Sequence, residues 1–479
     1  MSTALHDLSA HDVLAGYKAR DFSPVEVTQA VLAQIERWEP QLAATYLLRP
    51  EAALAQARAS EARWLKGEPC GTLDGVPVTI KDNIATQGDP VPLGTKAVAL
   101  TPAAADAPPA ARLRESGAVI VCKTTMPDYG MLSSGLSTFH KTARNPWDVT
   151  RTPGGSSAGA GAAAAAGYGP LHIGTDIGGS IRLPAAWCGV VGLKPSLGRV
   201  PIDPPYMGRA AGPMTRSVAD AALMMQVLAQ PDARDSMALP PQAIDWSLAW
   251  RADKPLKGVR IGLLLNAGCG LPVEPAIRVA ALHAAHLFEG QGAVVTSLAP
   301  FMTQELLAGL DHFWRMRSLV DLDALPAERR ASVLPVIRDW ADSARAMSGA
   351  DVFRAYSATH AVRVATQAAL QPFDYVISPV SPNAPAPFDW PSPTNDPLRG
   401  LEHIGFTVPF NMGEQPAISV NCGTMDSPGT PGAALPIGLQ IAGQRFDDLG
   451  VLQMARALNS SIQSGFVAAQ RGDDASGRA

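Results

Sequence analysis

The chain has 479 residues, of which 47% are hydrophobic and only 17% charged, a balance that suits a large packed core and excludes a disordered chain. The formal net charge is -4 and no run of Lys and Arg occurs, so no nucleic-acid partner is expected. The five cysteines are scattered without a CxxC pair and no HExxH is present, which excludes a disulfide scaffold and any sequence-evident metal site.

The N-terminus lacks a basic segment followed by an apolar run, so no export signal is expected and a cytoplasmic location follows. The first clear helix starts at Ser23, where Ser23-Pro24-Val25-Glu26 reads as a cap with proline in the first turn. A second helix covers residues 50–67 and stops near Gly67. Residues 1–70 thus read as an N-terminal helical layer. Val76 to Ile80 reads as a short strand, and Pro77 argues for a strand start or an edge. Residues 110–117 read as helix and Ala118 to Val121 as buried strand. The stretch AGAGAAAAAG (158–167) is too short to span a bilayer and reads as a tightly packed internal helix, so no membrane role is expected. The alternation continues with helix at 217–230, strand at 259–265, helix at 274–290 and strand at 293–298. Residues 374–379 and 436–443 read as strands and 449–462 as helix. Residues 300–370 carry several helical segments, and 381–400 are largely loop. This pattern predicts a single large α/β domain over 71–470, with a mixed twisted β-sheet sandwiched between α-helices. Residues 471–479 read as a loose tail.

Two glycine-rich segments carry the chemistry. The first runs from Thr152 to Gly159 and includes Ser156 and Ser157. The second reads Gly174-Thr175-Asp176-Ile177-Gly178-Gly179-Ser180-Ile181-Arg182. Two glycines before Ser180 let backbone amides converge on one point, which can hold an oxyanion beside an attacking hydroxyl. Such a serine needs a base. None of the nine histidines lies in an informative motif, His140 and His172 included. Lys81 ends an apolar strand, and desolvation there would lower its pKa and let it act as a base. The rival is a structural lysine paired with Asp82 or Asp176. Neither glycine segment matches a phosphate-binding pattern.

GVPVTIKDNI around Lys81, PGGSSAG around Ser156 and GTDIGGSIRLPAAWCGVVGLKPSLGRV around Ser180 together resemble the amidase signature family. GPMTRSVAD (212–220), FTVPFNMGEQPAISVNCG (406–423) and PIGLQIAGQRFDD (436–448) extend the likeness over nearly the whole chain. The resemblance implies the amidase signature fold and a Ser–cis-Ser–Lys triad. Ser180 would be the nucleophile, Ser156 the bridging serine on a cis bond with Gly155, and Lys81 the neutral base. The oxyanion hole would be the amides of Ile177, Gly178, Gly179 and Ser180, with Thr175, Asp176 and Arg182 in support. No cofactor and no metal are implied. Two departures stand out. Ala158 replaces a glycine, and Thr125-Met126-Pro127-Asp128-Tyr129 replaces the usual asparagine, glutamate and phenylalanine pattern, which bears on pocket shape.

The expected activity is hydrolysis of small, neutral or aromatic carboxylic amides through a seryl acyl-enzyme. Phe139, Trp147, Phe313, Trp314, Phe388 and Trp390 are candidate pocket aromatics. The expected partners are a small-molecule amide and a possible homodimer, with no nucleic acid and no membrane. The alternatives are the glutamine-hydrolysing subunit of a tRNA-dependent amidotransferase, which works with partner subunits, and a non-catalytic binding protein.

Overall fold

The computed structural model describes residues 4–248 and 256–462, so the expected tail at 471–479 lies outside the described residues. Eleven strands among these residues form one sheet: β1 (Thr45–Tyr46), β2 (Pro77–Lys81), β3 (Val119–Thr124), β4 (Leu171–Asp176), β5 (Val191–Lys194), β6 (Ala210–Thr215), β7 (Arg260–Leu263), β8 (Val294–Ser297), β9 (Tyr375–Pro379), β10 (Ala417–Asp426) and β11 (Ala434–Gly443). Their order is β1-β3-β2-β4-β6-β5-β10-β11-β9-β7-β8. The β3-β2-β4 and β9-β7-β8 runs are parallel and the remaining pairs antiparallel, so the sheet is mixed.

Strand alternation sorts side chains to two faces. On one face Ile437, Leu439 and Ile441 join Ile173, Leu193 and Ile418 under helices Val218–Leu228, Pro275–Gly290 and Asp448–Ile462. On the other, Met214 packs with Ala160, Ala164, Ile181 and Ala185 from helices Ala158–Ala165 and Arg182–Cys188 and the turn before the latter. A Cβ at Gly438 would lie 2.3 Å from that of Ala186, so a bare backbone at β11 is what lets the second helix lie so close. The alanine-rich run is therefore a buried helix against the sheet. Among the described residues no helix is long and apolar enough to cross a membrane.

The first 70 residues supply helices Ala10–Ala19, Pro24–Leu42 and Pro50–Lys66. Ser23 and Glu26 form the reciprocal cap that starts the second, and Gly67 ends the third in a left-handed conformation. Val31, Ile35, Leu42, Ala53 and Ala57 pack on Val119 and Val121 of β3. This segment also contributes the edge strand β1, which its sequence does not announce. Pro77 does start β2, but the strand is central. Its parallel neighbours leave the first position free of any need for an N–H.

Candidate active site

β2 delivers Lys81 into the centre of the sheet, where the residue is fully buried. Its Nζ lies 2.8 Å from Ser156 Oγ, 3.0 Å from Ser157 Oγ and 3.0 Å from Thr175 Oγ1. No carboxylate is within ion-pair distance among the described residues. Asp82 accepts instead from the amides of Leu93 and Gly94 and from His140 Nε2. Asp176 is taken by Arg182 and Asn411. Lys81 is thus not the structural ion-pair lysine of the rival reading. Burial pulls its amine down to about 7, the charges of Asp176 and Asp82 pull the other way, and Arg209 adds to the fall.

The hydrogen bonds around Lys81 sort its protons. Ser157 Oγ donates to the Thr175 carbonyl at 3.2 Å, so it can only accept from the lysine. Thr175 Oγ1 is held by Asn83 at 3.0 Å and takes a second N–H. A neutral amine has two N–H groups and one lone pair. If both N–H groups go to Ser157 and Thr175, the lone pair faces the hydroxyl of Ser156. The Gly155–Ser156 bond is cis.

Asp176 ends β4 and organises the next turn. It accepts from the amides of Gly179 at 2.8 Å and Ile181 at 3.1 Å, and from Arg182 Nε at 3.0 Å and Nη2 at 2.9 Å. Burial opposes its ionisation, but the Arg182 charge, the Arg182 and Asn411 hydrogen bonds and Lys194 outweigh it and hold the carboxyl below the usual range. Arg182 is itself fully buried and donates to the Thr407 carbonyl, Gln440 Oε1 and Asn411 Oδ1. A buried guanidinium satisfied on every side is a rigid post for the loop that ends at it.

Ser180 sits on that loop, partly exposed, with no hydrogen-bond partner for its hydroxyl among the described residues. No hydrogen bond joins it to Ser156. Catalytic contacts of this kind commonly close only when substrate is bound. Of the four amides expected to converge there, that of Gly179 is turned to Asp176, while Thr407 Oγ1 holds the Gly178 carbonyl at 2.6 Å. The Gly178–Gly179 peptide is therefore fixed at both ends. Gly179 has a φ of +128°, and a side chain there would strike Thr407. The amides of Ile177, Gly178 and Ser180 remain without a partner among the described residues.

Of the candidate aromatics, Trp314 reaches this loop: a Cβ on Gly178 would meet its ring at 3.2 Å and Ile404 at 3.4 Å. Phe139 packs on Tyr46 and His140, Trp147 donates to the Cys188 carbonyl, Phe313 lies against Tyr356, and Phe388 lies under Arg144. His172 is bonded to Thr79 and Gly169, and burial pushes it down to about 3. Sequence reasoning misses several residues of the site. Ser157, Asn83, Thr407, Asn411 and Gln440 all lie in or beside the quoted sequence blocks, but nothing local marks their roles. Gly130 is another. A Cβ there would stand 3.2 Å from Ser156 Oγ, and its φ is +68°.

Comparison with known proteins places this geometry. The family model described as Amidase matches residues 26–452. Curated relatives include the A subunit of the glutamyl-tRNA(Gln) amidotransferase of Myxococcus xanthus (strain DK1622), 35% identical, covering 95% of this chain and 97% of the relative. Its counterpart in Alkaliphilus metalliredigens (strain QYMF) is 31% identical over 96% and 97%. Among solved structures, a bacterial aryl acylamidase of the amidase signature family superposes with a TM-score of 0.85 at 29% identity, covering 96% of this chain and 97% of that one. The relatives overturn one expectation. A chain with only a small-molecule amide and a possible homodimer as partners, and with no nucleic acid, does not fit proteins that are one subunit of an enzyme acting on a charged tRNA. Bulk charge does not decide the matter, because it reports only phosphate contacts that a chain makes for itself. A subunit whose partner grips the nucleic acid needs no basic stripe.

Proposed function

Since the chain belongs to the amidase signature family of hydrolases, we propose that it breaks a carbon–nitrogen amide bond through a seryl acyl-enzyme, as the glutamine-hydrolysing subunit of a tRNA-dependent amidotransferase. The observation that carries the chemistry is Lys81, buried, unpaired with any carboxylate and 2.8 Å from Ser156 Oγ. In this reading neutral Lys81 accepts the Ser156 proton while Ser156 accepts that of Ser180. Ser180 Oγ attacks the carbonyl carbon, and the developing oxyanion is met by the free amides of Ile177, Gly178 and Ser180. The same relay returns a proton to the leaving nitrogen, ammonia departs, and the acyl-enzyme is then hydrolysed by water. Thr175, Asp176 and Arg182 position the loop. A cytoplasmic location is part of the same proposal.

The amidotransferase reading is supported by identity of 31–35% over almost the whole length of the curated relatives. A second reading has its own observation. Trp314 and Ile404 stand over Gly178, and Met131, Leu132 and Ile177 belong to the same apolar cluster, surroundings that suit an aryl or aliphatic amide. Ammonia release from glutamine, measured with and without amidotransferase partner subunits and glutamylated tRNA, separates the two when run beside anilides. Glutamine turnover that rises with the partners supports the amidotransferase reading. Anilide turnover by the chain alone, with glutamine untouched, supports the second reading. Inertness toward every amide in the panel would sink both.

A further inference from the structure

Asp128 lies where the sequence departs from the family pattern. It is fully buried, and no Lys or Arg among the described residues pairs with it. Its carboxylate is satisfied by uncharged donors. The Thr138 amide donates at 2.8 Å, the Thr138 hydroxyl at 3.0 and 3.2 Å to its two oxygens, and the Leu334 amide at 3.1 Å. Burial raises its pKa, and these bonds work against the rise. Leu334 immediately precedes helix Pro335–Asp342 and has no capping side chain of its own. A carboxylate 206 positions away therefore caps this helix.

That helix forms one wall of a cavity of about 30 Å³, through Val336, Ile337 and Trp340; Met131 and Leu132 form a second, and loop residues between 391 and 401 complete it. Asp128 stands just before the second wall in the chain, and its partner Leu334 just before the first. Between Asp128 and Met131 comes Gly130, the residue set against Ser156. Ile177, which opens the loop to Ser180, belongs to the same apolar cluster as both walls.

We infer that Asp128 is a specificity-determining positioning residue: by binding Leu334 it clasps the two cavity walls at their base and limits the bulk of the group that Ser180 can accept. The inference rests on Ser180 as the nucleophile. The cavity is several times smaller than the dry cavities of about 150 Å³ that take a benzene ring. In this inference a ring seats fully as the walls part, and the clasp resists that.

Sulfonyl fluorides that sulfonylate Ser180, with loss of fluoride, read this without knowledge of the substrate. The quantity is the rate constant of inactivation by phenylmethanesulfonyl fluoride divided by that for methanesulfonyl fluoride. Asp128→Asn keeps the shape but sets an N–H against either the Leu334 or the Thr138 amide, since both carboxylate oxygens accept from one. Leu334→Pro deletes the capped N–H with the carboxylate in place, and the φ of −50° at that position suits proline. Each variant should raise the ratio about fivefold and speed hydrogen exchange in residues 335–342, and either one carries the test if the other does not fold. A purely structural role would lower thermal stability and slow both reagents equally, leaving the ratio unchanged; that result overturns the inference. If Ser180 of the unaltered protein takes neither reagent, the nucleophile reading fails and the inference falls with it. If it is labelled and the variants keep the parent ratio, the inference alone fails.

Discussion

Lys81 at the end of β2 and Lys194 at the end of β5 are both buried, and both are held near the same value. Burial pulls Lys81 down to about 7, and burial together with the Arg182 charge does the same to Lys194. Their neighbours differ. Lys81 meets three hydroxyls, whereas the one hydrogen bond of Lys194 among the described residues runs to the Pro195 carbonyl at 2.8 Å. A carbonyl has no proton to surrender, so a neutral Lys194 has nothing to deprotonate. Lys123, lowered by burial to about 8, likewise donates to a carbonyl, that of Ile84. Low basicity in this fold is a consequence of depth. What sets a candidate base apart is an O–H at the end of its lone pair.

The largest expected effect falls on the nucleophile end of the relay. Ser180→Ala should lower turnover by at least about 10⁴-fold, because Ser180 carries the one hydroxyl on the loop 177–181 that bears the free amides. Intact-protein mass after sulfonyl fluoride treatment should show one adduct in the parent and none in the variant. Full activity in folded Ser180→Ala would end the proposed mechanism. Next in size is the lysine pair itself. Lys81→Met should cost on the order of 10³-fold in kcat, the usual range for a lost general base. Lys194→Met should cost less than about tenfold by the same argument. Equal losses would break the contrast and make both lysines structural.

This contrast is only half legible in the sequence. Lys81 stands out because an apolar strand ends on it before Asp82-Asn83, yet Lys194 sits in an equally apolar run, VVGLK, with nothing to mark its different surroundings. Which hydroxyls meet which amine is decided by β4 lying beside β2, and β4 itself escapes a sequence reading. Its run LHIGTD is buried on both faces and interrupted by Gly174, so it has no alternation to read. β6 is hidden in the same way by Pro213. Amphipathic helices are readable because one face of each meets solvent, whereas the buried strands β2 and β11 are read from their apolar runs and the two-residue edge strand β1 is too short to show a pattern. The partners of Arg182 come from residues 407, 411 and 440, and only the fold brings them to one guanidinium.

The pH profile sharpens the comparison further. Protonated Lys81 has no lone pair, so the acid form of the site is inactive. With its amine at about 7, kcat/KM should fall about tenfold per pH unit below that value and level off above it. Lys194 titrates in the same region, so the parent profile cannot say which lysine is responsible. Lys194→Met should keep the limb near 7. A variant whose limb vanishes would assign the titration to Lys194 and leave Lys81 without its role.

A smaller effect than the loss of Lys81 tests the Ser156 side of the Lys81 pocket, which has no counterpart around Lys194. Gly130→Ala adds one methyl group 3.2 Å from Ser156 Oγ and 3.1 Å from Met126 Cε. The Met126 side chain is flexible at its end and can yield a few tenths of an ångström. Ser156 cannot yield without changing its 2.8 Å contact with Lys81. The φ of +68° adds a backbone cost of about 1 kcal/mol for an alanine. Stability should therefore fall by about that amount, with kcat down by roughly tenfold and KM little changed, since the methyl group meets the relay and not the free amides. Steady-state kinetics beside thermal unfolding separates the two consequences. A rise in KM at constant kcat would place Gly130 on the substrate path instead, and Ser156 would then be the residue whose role needs revision.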